Sequence, residues 1–283
     1  MNSIVNIKTI HIDELKKLFD IIQCIEPEIP IHFMQNENGK KYIKISALNQ
    51  KKNIIVNVIL DDIYLNEFTL RENRCVYVNI ETLLKSLKSF NKSGILSMYI
   101  LENDPGRIVL SVADDNKKKI STHKINLLTI DYQIFGIDKI KYDYIIEMNC
   151  TEFHKTCKSL SCVNKYMEIV CDSKSIYFGS RGDLVSVKET YLNGLDAENV
   201  KIKTNGDDEE NSDTFNDDEE KKDDDIVVKL IFDTKTINLL HKCTNLKCDT
   251  VKIYLKNNEP MYVSYKITIL GILRIGINPI TIK

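Results

Sequence analysis

Lysine side chains in four short segments are the residues of this chain best placed to do chemistry. In two of the segments, Lys85 with Lys88 and Lys155 with Lys158 are three residues apart, so each pair shares one face of a helix. The ammonium group of lysine is a flexible, hydrated point charge that binds phosphate or carboxylate oxygens. Such a face either contacts an anionic partner or is simply solvated. The four segments are 14–23, 80–90, 151–160 and 234–243.

The same segments carry apolar residues on the opposite face, which predicts four amphipathic helices of about three turns. In the first, the apolar positions recur at helical spacing while Lys16 and Lys17 lie on the other side. In the fourth, Lys235 and Lys242 lie on the polar side. Each predicted helix therefore turns lysines away from the core that it helps to build.

Eight cysteines and five histidines raise the question of a metal, redox or nucleophilic site. No C-x-x-C pair occurs and the histidines are scattered, so we expect no metal, no cofactor and reduced, buried thiols. The sequence contains no glycine-rich phosphate loop, nucleophile elbow or H-E-x-x-H helix. His154 and Cys157 are close in the third helix, but we expect Cys157 on the apolar face and His154 away from it. An enzyme is therefore the weaker hypothesis.

Most of the remaining chain alternates β-branched and polar residues, which predicts strands separated by polar turns. The order strand, helix, strands, strand, helix, strands occurs twice, which indicates two similar halves. Helices segregated from long antiparallel sheets are typical of the α+β class. We predict an N-terminal domain over residues 1–127, a connector over 128–143 and a C-terminal domain over 144–283. Clear strand predictions include 3–9, 41–48, 95–101 and 144–149.

One segment changes the charge balance of the chain. Residues 207–225 hold twelve acidic residues and two lysines, a net charge of −10, and since the whole chain carries −2 the remainder carries +8. The stretch 205–225 has one aromatic residue and no apolar periodicity, which predicts an acidic, disordered insertion. It is either a plain surface loop or an acidic interaction element. With no signal-peptide pattern and no apolar stretch long enough for a bilayer, we expect a protein that is neither secreted nor in a membrane.

Three stretches, 76–90, 129–138 and 227–280, together resemble the DNA sliding clamps of the proliferating cell nuclear antigen family. "VYVNIETLLKSLKSF" (76–90) resembles the second helix of the family's first domain and the strand before it. "TIDYQIFGID" (129–138) is similar to the family's interdomain connector, and 227–280 matches the family's last part in element order. The resemblance runs from about Ile4 to Ile280 and leaves out only the acidic segment.

The resemblance implies the α+β clamp fold, in which three identical subunits of two similar domains each close into a ring. Four short helices per subunit would line the central hole, with antiparallel sheets outside. Their polar faces would contact the phosphates of double-stranded DNA without reading its sequence. Eight lysines are then candidate DNA contacts: Lys16, Lys17, Lys85, Lys88, Lys155, Lys158, Lys235 and Lys242.

The resemblance also implies a groove for a short partner peptide and two edge strands, 119–126 and 184–191, that join the subunits. Carried over position by position, the groove residues are Leu48, Ile55, Phe135, Ile137, Pro260, Asn278 and Pro279. The interface residues are Ile120, His123, Ile125, Val185, Val187 and Glu189.

This sequence departs from the family's pattern around the groove. Lys52, Asp138 and Gly276 stand where the family usually has a histidine, a proline and a tyrosine. His123 stands where the family often has an aromatic residue in the interface strand. We therefore expect a shallower pocket with a different peptide preference, and a weaker ring closure.

The function implied by the resemblance is that of a processivity factor, which tethers DNA polymerase and other replication or repair enzymes to DNA. A clamp loader and the chain itself would be further partners, in a nucleus or in a viral replication compartment. The divergence, and a composition rich in Ile, Lys and Asn, are compatible with a large DNA virus as the source. Two alternatives stay open: a divergent relative that acts as a monomer or in a hetero-trimeric ring, and a small intracellular enzyme with a Cys/His site.

Overall fold

The computed structural model describes the chain with a few gaps, and it divides into two compact units. The described residues are 2–90, 94–113, 119–129, 140–194, 200–204, 226–267 and 269–281. The first unit comprises Met1–Gly136, Asn245–Lys247 and Lys266–Ile275, and the second comprises Ile137–Thr244, Cys248–Tyr265 and Gly276–Lys283. The domain boundaries drawn from the sequence stay predictions.

Besides a 3-10 turn (Asp62–Tyr64) and most of the last strand, the described part of the first unit contains nine strands and two α-helices in chain order. They are β1 (Ser3–Thr9), α1 (Ile12–Gln23), β2 (Glu28–Gln35), β3 (Lys41–Leu48), β4 (Ile54–Asp61), β5 (Glu67–Leu70), β6 (Arg74–Asn79), α2 (Ile80–Ser89), β7 (Ile95–Leu101), β8 (Asp104–Ala113) and β9 (Ile120–Asn126). One sheet has the order β5-β1-β7-β8-β9, and a second contains the run β4-β3-β2-β6. Neighbouring strands within each of these two sheet orders pair antiparallel.

The described part of the second unit repeats this plan with eight strands, two α-helices and a 3-10 helix. They are β10 (Tyr144–Asn149), α3 (Cys150–Ser161), β11 (Tyr166–Cys171), β12 (Ser175–Arg181), β13 (Ser186–Leu192), β14 (Val200–Thr204), β15 (Val228–Asp233), α4 (Thr234–Ile237), a 3-10 helix (Asn238–Leu246), β16 (Thr250–Leu255) and β17 (Met261–Ile267). One sheet contains the run β14-β10-β16-β17, and the other has the order β13-β12-β11-β15. Short helices with antiparallel sheets confirm the predicted α+β class. The acidic insertion predicted over 205–225 lies outside the described residues.

The last strand, β18 (Gly271–Ile277), lies beside β4 in the sheet order. Gly271 has a φ of +142°, and a Cβ at this position would collide with the carbonyl oxygen of Ile59. Only glycine permits so close an approach of the two strands. Any larger residue at position 271 is expected to push β18 away from β4.

Three helices begin directly at the end of a strand, on an Asn or Asp that serves as the N-cap. The side-chain oxygen of Asn79 accepts from the backbone N–H of Thr82 at 3.0 Å, and that of Asn149 accepts from Thr151 at 2.9 Å. Asp233 does the same for Lys235 at 2.8 Å. Each cap satisfies an N–H that the first helical turn leaves unpaired. The caps therefore fix where α2, α3 and α4 leave their sheets, and hence where their lysines lie.

The fourth predicted helix differs from the expectation. Only Thr234–Ile237 is α-helical, and Asn238–Leu246 continues as a 3-10 helix. Its buried side chains, Thr234, Ile237, Leu240 and Cys243, follow one another at intervals of three. A 3-10 helix has three residues per turn, so this spacing keeps all four on the core side. In α2 the buried positions 80, 83, 84 and 87 follow the α-helical period instead.

Candidate functional site

The polar face of α2 carries two exposed lysines at its centre and end. Lys85 is 74% exposed, and its amine is 2.6 Å from a carboxylate oxygen of Glu81, one turn earlier. The amine of Lys88 is 3.5 Å from a carboxylate oxygen of Asp20 on α1. Solvent-exposed ion pairs such as these are weak and are screened by salt. Both amines can therefore exchange their carboxylate for a phosphate at little cost.

The polar face of α3 has the same layout. The amine of Lys155 is 2.8 Å from a carboxylate oxygen of Glu152, which raises the pKa of Lys155. Lys158 lies one turn further along and is exposed. Lys155 therefore remains charged at neutral pH, and both Lys155 and Lys158 are accessible to an anionic partner.

Lys16 on α1 is held differently from these four lysines. Its side chain is only 14% exposed, its amine donates to the carbonyl oxygen of Phe90 at 3.2 Å, and Asp13 lies 3.6 Å away. Phe90 is the C-cap residue of α2. Lys16 therefore ties α1 to the end of α2 within the first unit. The remaining predicted DNA contacts are Lys17 and Lys242, which are half-buried, and Lys235, which is exposed.

Two edge strands, β9 and β13, each end a sheet. Among the strands that the structure describes, β9 pairs with β8 alone and β13 with β12 alone. Three apolar side chains on or next to them are open to solvent: Ile120 is 68% exposed, Leu184 98% and Val185 57%. An unpaired strand edge with exposed apolar side chains is a template for pairing with another chain. Of the other predicted interface residues, Val187 is half-buried and Ile125 is buried in its own unit.

The inward side chains of both edge strands are anchored on the nearest helix. His123 on β9 packs on the ring of Phe90, with centroids 4.7 Å apart. On β13, the carboxylate of Glu189 accepts from Thr156 at 2.6 Å and from Ser159 at 2.7 Å, both on α3. These anchors hold each edge strand at a fixed position on its helix. Local sequence patterns carry no signal for these anchors, because each contact joins residues about thirty positions apart.

The predicted groove residues that the structure describes lie in both units. In the first unit, Leu48 and Ile55 are half-buried cross-strand partners on β3 and β4. In the second, Pro260 is half-buried at the start of β17, while Asn278 is exposed and Pro279 half-buried after β18. Phe135 and Ile137 lie outside the described residues. The groove as a whole stays a prediction.

A cluster of three tyrosines, which the sequence analysis missed, lies beside Pro260 in the second unit. The ring of Tyr142 meets those of Tyr254 and Tyr262 edge-on, with centroids 5.7 and 6.0 Å apart. The hydroxyl of Tyr142 donates to the carbonyl oxygen of Pro260 at 3.2 Å. A sequence pattern that could have predicted the cluster is the outward position of Tyr254 and Tyr262 on two strands that form a hairpin. We call Tyr142, Tyr254 and Tyr262 the tyrosine cluster.

The expectation for His154 was wrong, because the structure buries it together with Cys157. His154 is 3% exposed, and neither ring nitrogen has a hydrogen-bond partner among the described residues. Its ring stacks on Tyr265 with centroids 5.9 Å apart. Burial raises the pKa of the Cys157 thiol, so this thiol is protonated at neutral pH. A neutral thiol without a hydrogen bond to an imidazole is not an activated nucleophile. Among the described residues, no group of His, Cys, Asp or Glu is arranged to hold a metal ion.

Acid should destabilise the second unit through His154. Burial and, to a lesser extent, the nearby His241 lower the pKa of His154 from 6.5 to about 4. The unfolded chain therefore binds a proton between these values while the folded chain does not, and stability falls as the pH falls through this window. We expect the free energy of unfolding to drop by roughly 2 kcal/mol between about pH 7 and pH 5 from this group.

Urea unfolding at a series of pH values measures this effect. The variant His154→Leu should lose most of the acid sensitivity between about pH 6.5 and pH 4, whereas His11→Gln in the first unit should keep it. An unchanged pH profile in His154→Leu would show that His154 is not the responsible group.

No helix among the described residues has the length and apolar character needed to cross a membrane.

Comparison with known proteins shows the family of the chain. Residues 7–134 match the model of the proliferating cell nuclear antigen N-terminal domain, and residues 136–280 match that of its C-terminal domain. A probable DNA polymerase sliding clamp of Paramecium bursaria Chlorella virus 1 is 26% identical, over 99% of this chain and 98% of its own length. Proliferating cell nuclear antigen of Caenorhabditis elegans is 26% identical over 94% and 92%, and proliferating cell nuclear antigen 2 of Drosophila melanogaster is 24% identical over 94% and 93%. The chain belongs to the proliferating cell nuclear antigen family.

Proposed function

We infer that this chain is a DNA sliding clamp, a processivity factor that encircles duplex DNA and tethers DNA polymerase to it. The observation that carries the inference is the match of both halves of the chain to the two domains of the family, in order and almost end to end. Relatives named as sliding clamps, one of them viral, support it. The sliding clamp family is non-enzymatic, and we propose that this chain has no catalytic activity of its own.

The proposed working form is a ring of three identical chains. The edge strands β9 and β13 support it, because each has one side without a partner among the described strands, and exposed apolar residues lie on or next to each. Pairing β9 of one chain with β13 of the next would cover Ile120, Leu184 and Val185. A heterologous contact of this kind generates a ring when the rotation closes.

Duplex DNA would pass through this ring against the lysines of the short helices. The exposure of Lys85 and Lys155, and their weak pairing with acidic neighbours, supports this role. Lysines that contact phosphates give sequence-independent binding, which a sliding protein requires. We propose that Lys16 supports α1 and α2 and contributes less to DNA binding than the other lysines.

The proposed groove would bind short peptides of DNA polymerase and of other replication or repair proteins. A clamp loader would open the ring, and the work would take place in a nucleus or in a viral replication compartment. The alternative of a monomer or a hetero-trimeric ring is tested by the assembly experiment below. The enzyme alternative has no support from His154 and Cys157, because both are buried and burial keeps the Cys157 thiol protonated.

Substitutions in the connector test the proposed groove. The double variant Phe135→Ala, Ile137→Ala is expected to lose partner-peptide binding by about a hundredfold or more, since apolar anchors in a groove dominate such affinities. Its ring assembly and Tm should stay close to the wild-type values, because these side chains would serve a partner rather than the core. Fluorescence anisotropy with a labelled polymerase tail peptide, beside a thermal melt, measures both.

A matched control is Ile63→Ala, which removes a similar apolar side chain at an exposed position of the first unit. It should leave peptide binding unchanged. A large loss of Tm in the double variant would mean that Phe135 and Ile137 are part of the structural core.

A further inference from the structure

A cysteine, a histidine and a lysine on three strands of the first unit form one row of side chains. Cys75 on β6 pairs with His32 on β2, and His32 pairs with Lys44 on β3. Residues directly opposite one another in antiparallel strands have their side chains on the same face of the sheet. All three are half-buried, whereas Ile31 and Val76, their neighbours along the strands, are buried. The row therefore lies on the face that is turned away from the core.

Within this row the thiol and the imidazole are in contact. Sγ of Cys75 lies 3.9 Å from Nε2 of His32, so the thiol can pass its proton to this nitrogen. Burial and, to a lesser extent, the charge of Lys44 lower the pKa of His32, so its ring is neutral at pH 7 and can accept a proton. Because the thiolate is the nucleophilic form of cysteine, a neighbouring base of this kind makes the thiol reactive.

The other cysteines lie in less reactive surroundings. The exposed thiols of Cys24 and Cys162 donate to carbonyl oxygens of the preceding helical turn, at 3.3 and 3.5 Å. Among the described residues, only Cys75 has its thiol within hydrogen-bond distance of an imidazole. Burial raises the pKa of the remaining five thiols, which are those of Cys150, Cys157, Cys171, Cys243 and Cys248.

The charges around the row favour an anionic reagent. Lys44 brings its ammonium group next to the imidazole. On β4, the nearby carboxylate of Asp61 is already paired with Lys40, at 2.9 Å. Tyr77, the next outward residue on β6, stays uncharged because burial and the adjacent Cys75 raise its pKa. The site therefore has a net positive charge at neutral pH, and it attracts small molecules that carry carboxylates.

We propose that Cys75 is a modification site, at which a small disulfide that carries carboxylates reacts to leave a mixed disulfide on the protein. The thiol proton passes to Nε2 of His32, and Sγ of Cys75 attacks one sulfur of the disulfide. A new S–S bond forms as the old one breaks, and the second sulfur leaves as a thiolate that takes the proton from His32. The reagent is thereby reduced to a thiol while Cys75 is oxidised. Lys44 is a positioning residue that binds a carboxylate of the reagent.

This modification is reversible, because another thiol can attack the mixed disulfide and restore Cys75. The first unit can therefore respond to the redox state around the protein. A metal ion fits the row less well than a disulfide does. Protein zinc sites use three or four side-chain ligands, and no such group is arranged for a metal among the described residues. The ammonium group of Lys44 would also repel a cation.

Two chromogenic disulfides test the proposal, since each exchange releases a coloured thiol. One is bis(carboxynitrophenyl) disulfide, which carries two carboxylates, and the other is dipyridyl disulfide, which is neutral. The exposed thiols are first removed by Cys24→Ser and Cys162→Ser. In this background the fastest-reacting thiol should be Cys75, as located by mass spectrometry of peptides.

Variants of the row separate the roles of its members. His32→Gln should slow both reagents about tenfold or more, because the base is lost. Lys44→Gln should slow the carboxylate reagent about fivefold at low salt and leave the neutral reagent within about twofold, with a difference that shrinks as salt rises. Matched controls are His11→Gln and Lys51→Gln in the same unit, which should react like the background protein. Urea unfolding curves show whether each variant keeps its stability.

Three results would overturn the proposal. They are faster labelling of another cysteine in the background protein, an unchanged rate in a folded His32→Gln variant, and an unchanged rate of the carboxylate reagent in Lys44→Gln. The labelling and the comparison of the two reagents need no variant of His32, so they decide the matter even if that variant does not fold. None of these results bears on the proposed clamp function, which ring assembly and retention on circular DNA test separately.

Discussion

Charge reversal at four helix lysines should abolish stimulation of DNA synthesis while leaving the fold intact. The substitutions are Lys85→Glu, Lys88→Glu, Lys155→Glu and Lys158→Glu. All four side chains are on exposed helix faces, and glutamate is a good helix former, so folding should survive. Each chain loses four positive and gains four negative charges on the surface that would face DNA. The phosphate attraction of the wild type is thereby replaced by repulsion.

Primer extension by the cognate polymerase on a long template, at a series of salt concentrations, measures this loss. Each phosphate contact contributes a slope of roughly −0.9 to the logarithm of affinity against the logarithm of salt. The wild type should therefore show salt-sensitive stimulation, and the variant almost none at any salt. Lys51→Glu with Lys174→Glu, at two exposed turn positions, should behave like the wild type. A quadruple variant that assembles normally and gives full stimulation would mean that these lysines are only solvated surface.

The second large effect concerns ring assembly. The double variant Ile120→Asp, Val185→Asp should convert a trimer into folded monomers. Both side chains are exposed in the single chain, so an aspartate costs little there, whereas an interface would bury it beside apolar surface. Losing two apolar contacts and burying two carboxylates should raise the dissociation constant about a thousandfold or more.

Sedimentation at micromolar concentration distinguishes the two states. Three chains of 32.7 kDa give about 98 kDa for the wild type. Ile63→Asp is the control, because Ile63 is 71% exposed in a 3-10 turn that belongs to neither edge strand. It should remain trimeric. A wild type that sediments as a sharp monomer, or a double variant that stays trimeric, would count against this interface.

Alternation of apolar and polar residues was sufficient to predict most of the sheet. The strands β1, β3, β7 and β10 begin and end where the pattern predicts, because buried and less buried positions alternate along much of each strand. Strand β14 was missed. It has only five residues, two of which are lysines, and it runs into an acidic stretch, so it resembles a polar loop. Strand β14 takes its place through pairing with β10, which a local residue pattern does not reveal.

Periodicity predicted the four helical segments but not their type. The buried residues of the fourth segment recur every third position, a spacing that occurs in both helix types over one or two turns. The lysine faces were likewise predictable from local spacing, because they depend only on which side of a helix is apolar. The contact of Lys16 with Phe90 was not predictable, since it joins residues 74 positions apart. The tyrosine cluster was missed for the same reason.

Retention on circular DNA tests the central claim, encirclement, most directly. The fluorescent protein is assembled on a nicked circular plasmid, washed with high salt, and followed before and after a single cut by a restriction enzyme. A closed ring should stay on the circle at high salt and leave once the DNA has ends, because phosphate contacts alone are too weak to hold it there. Loss from the intact circle in the same wash, or equal retention on the cut plasmid, would contradict the account.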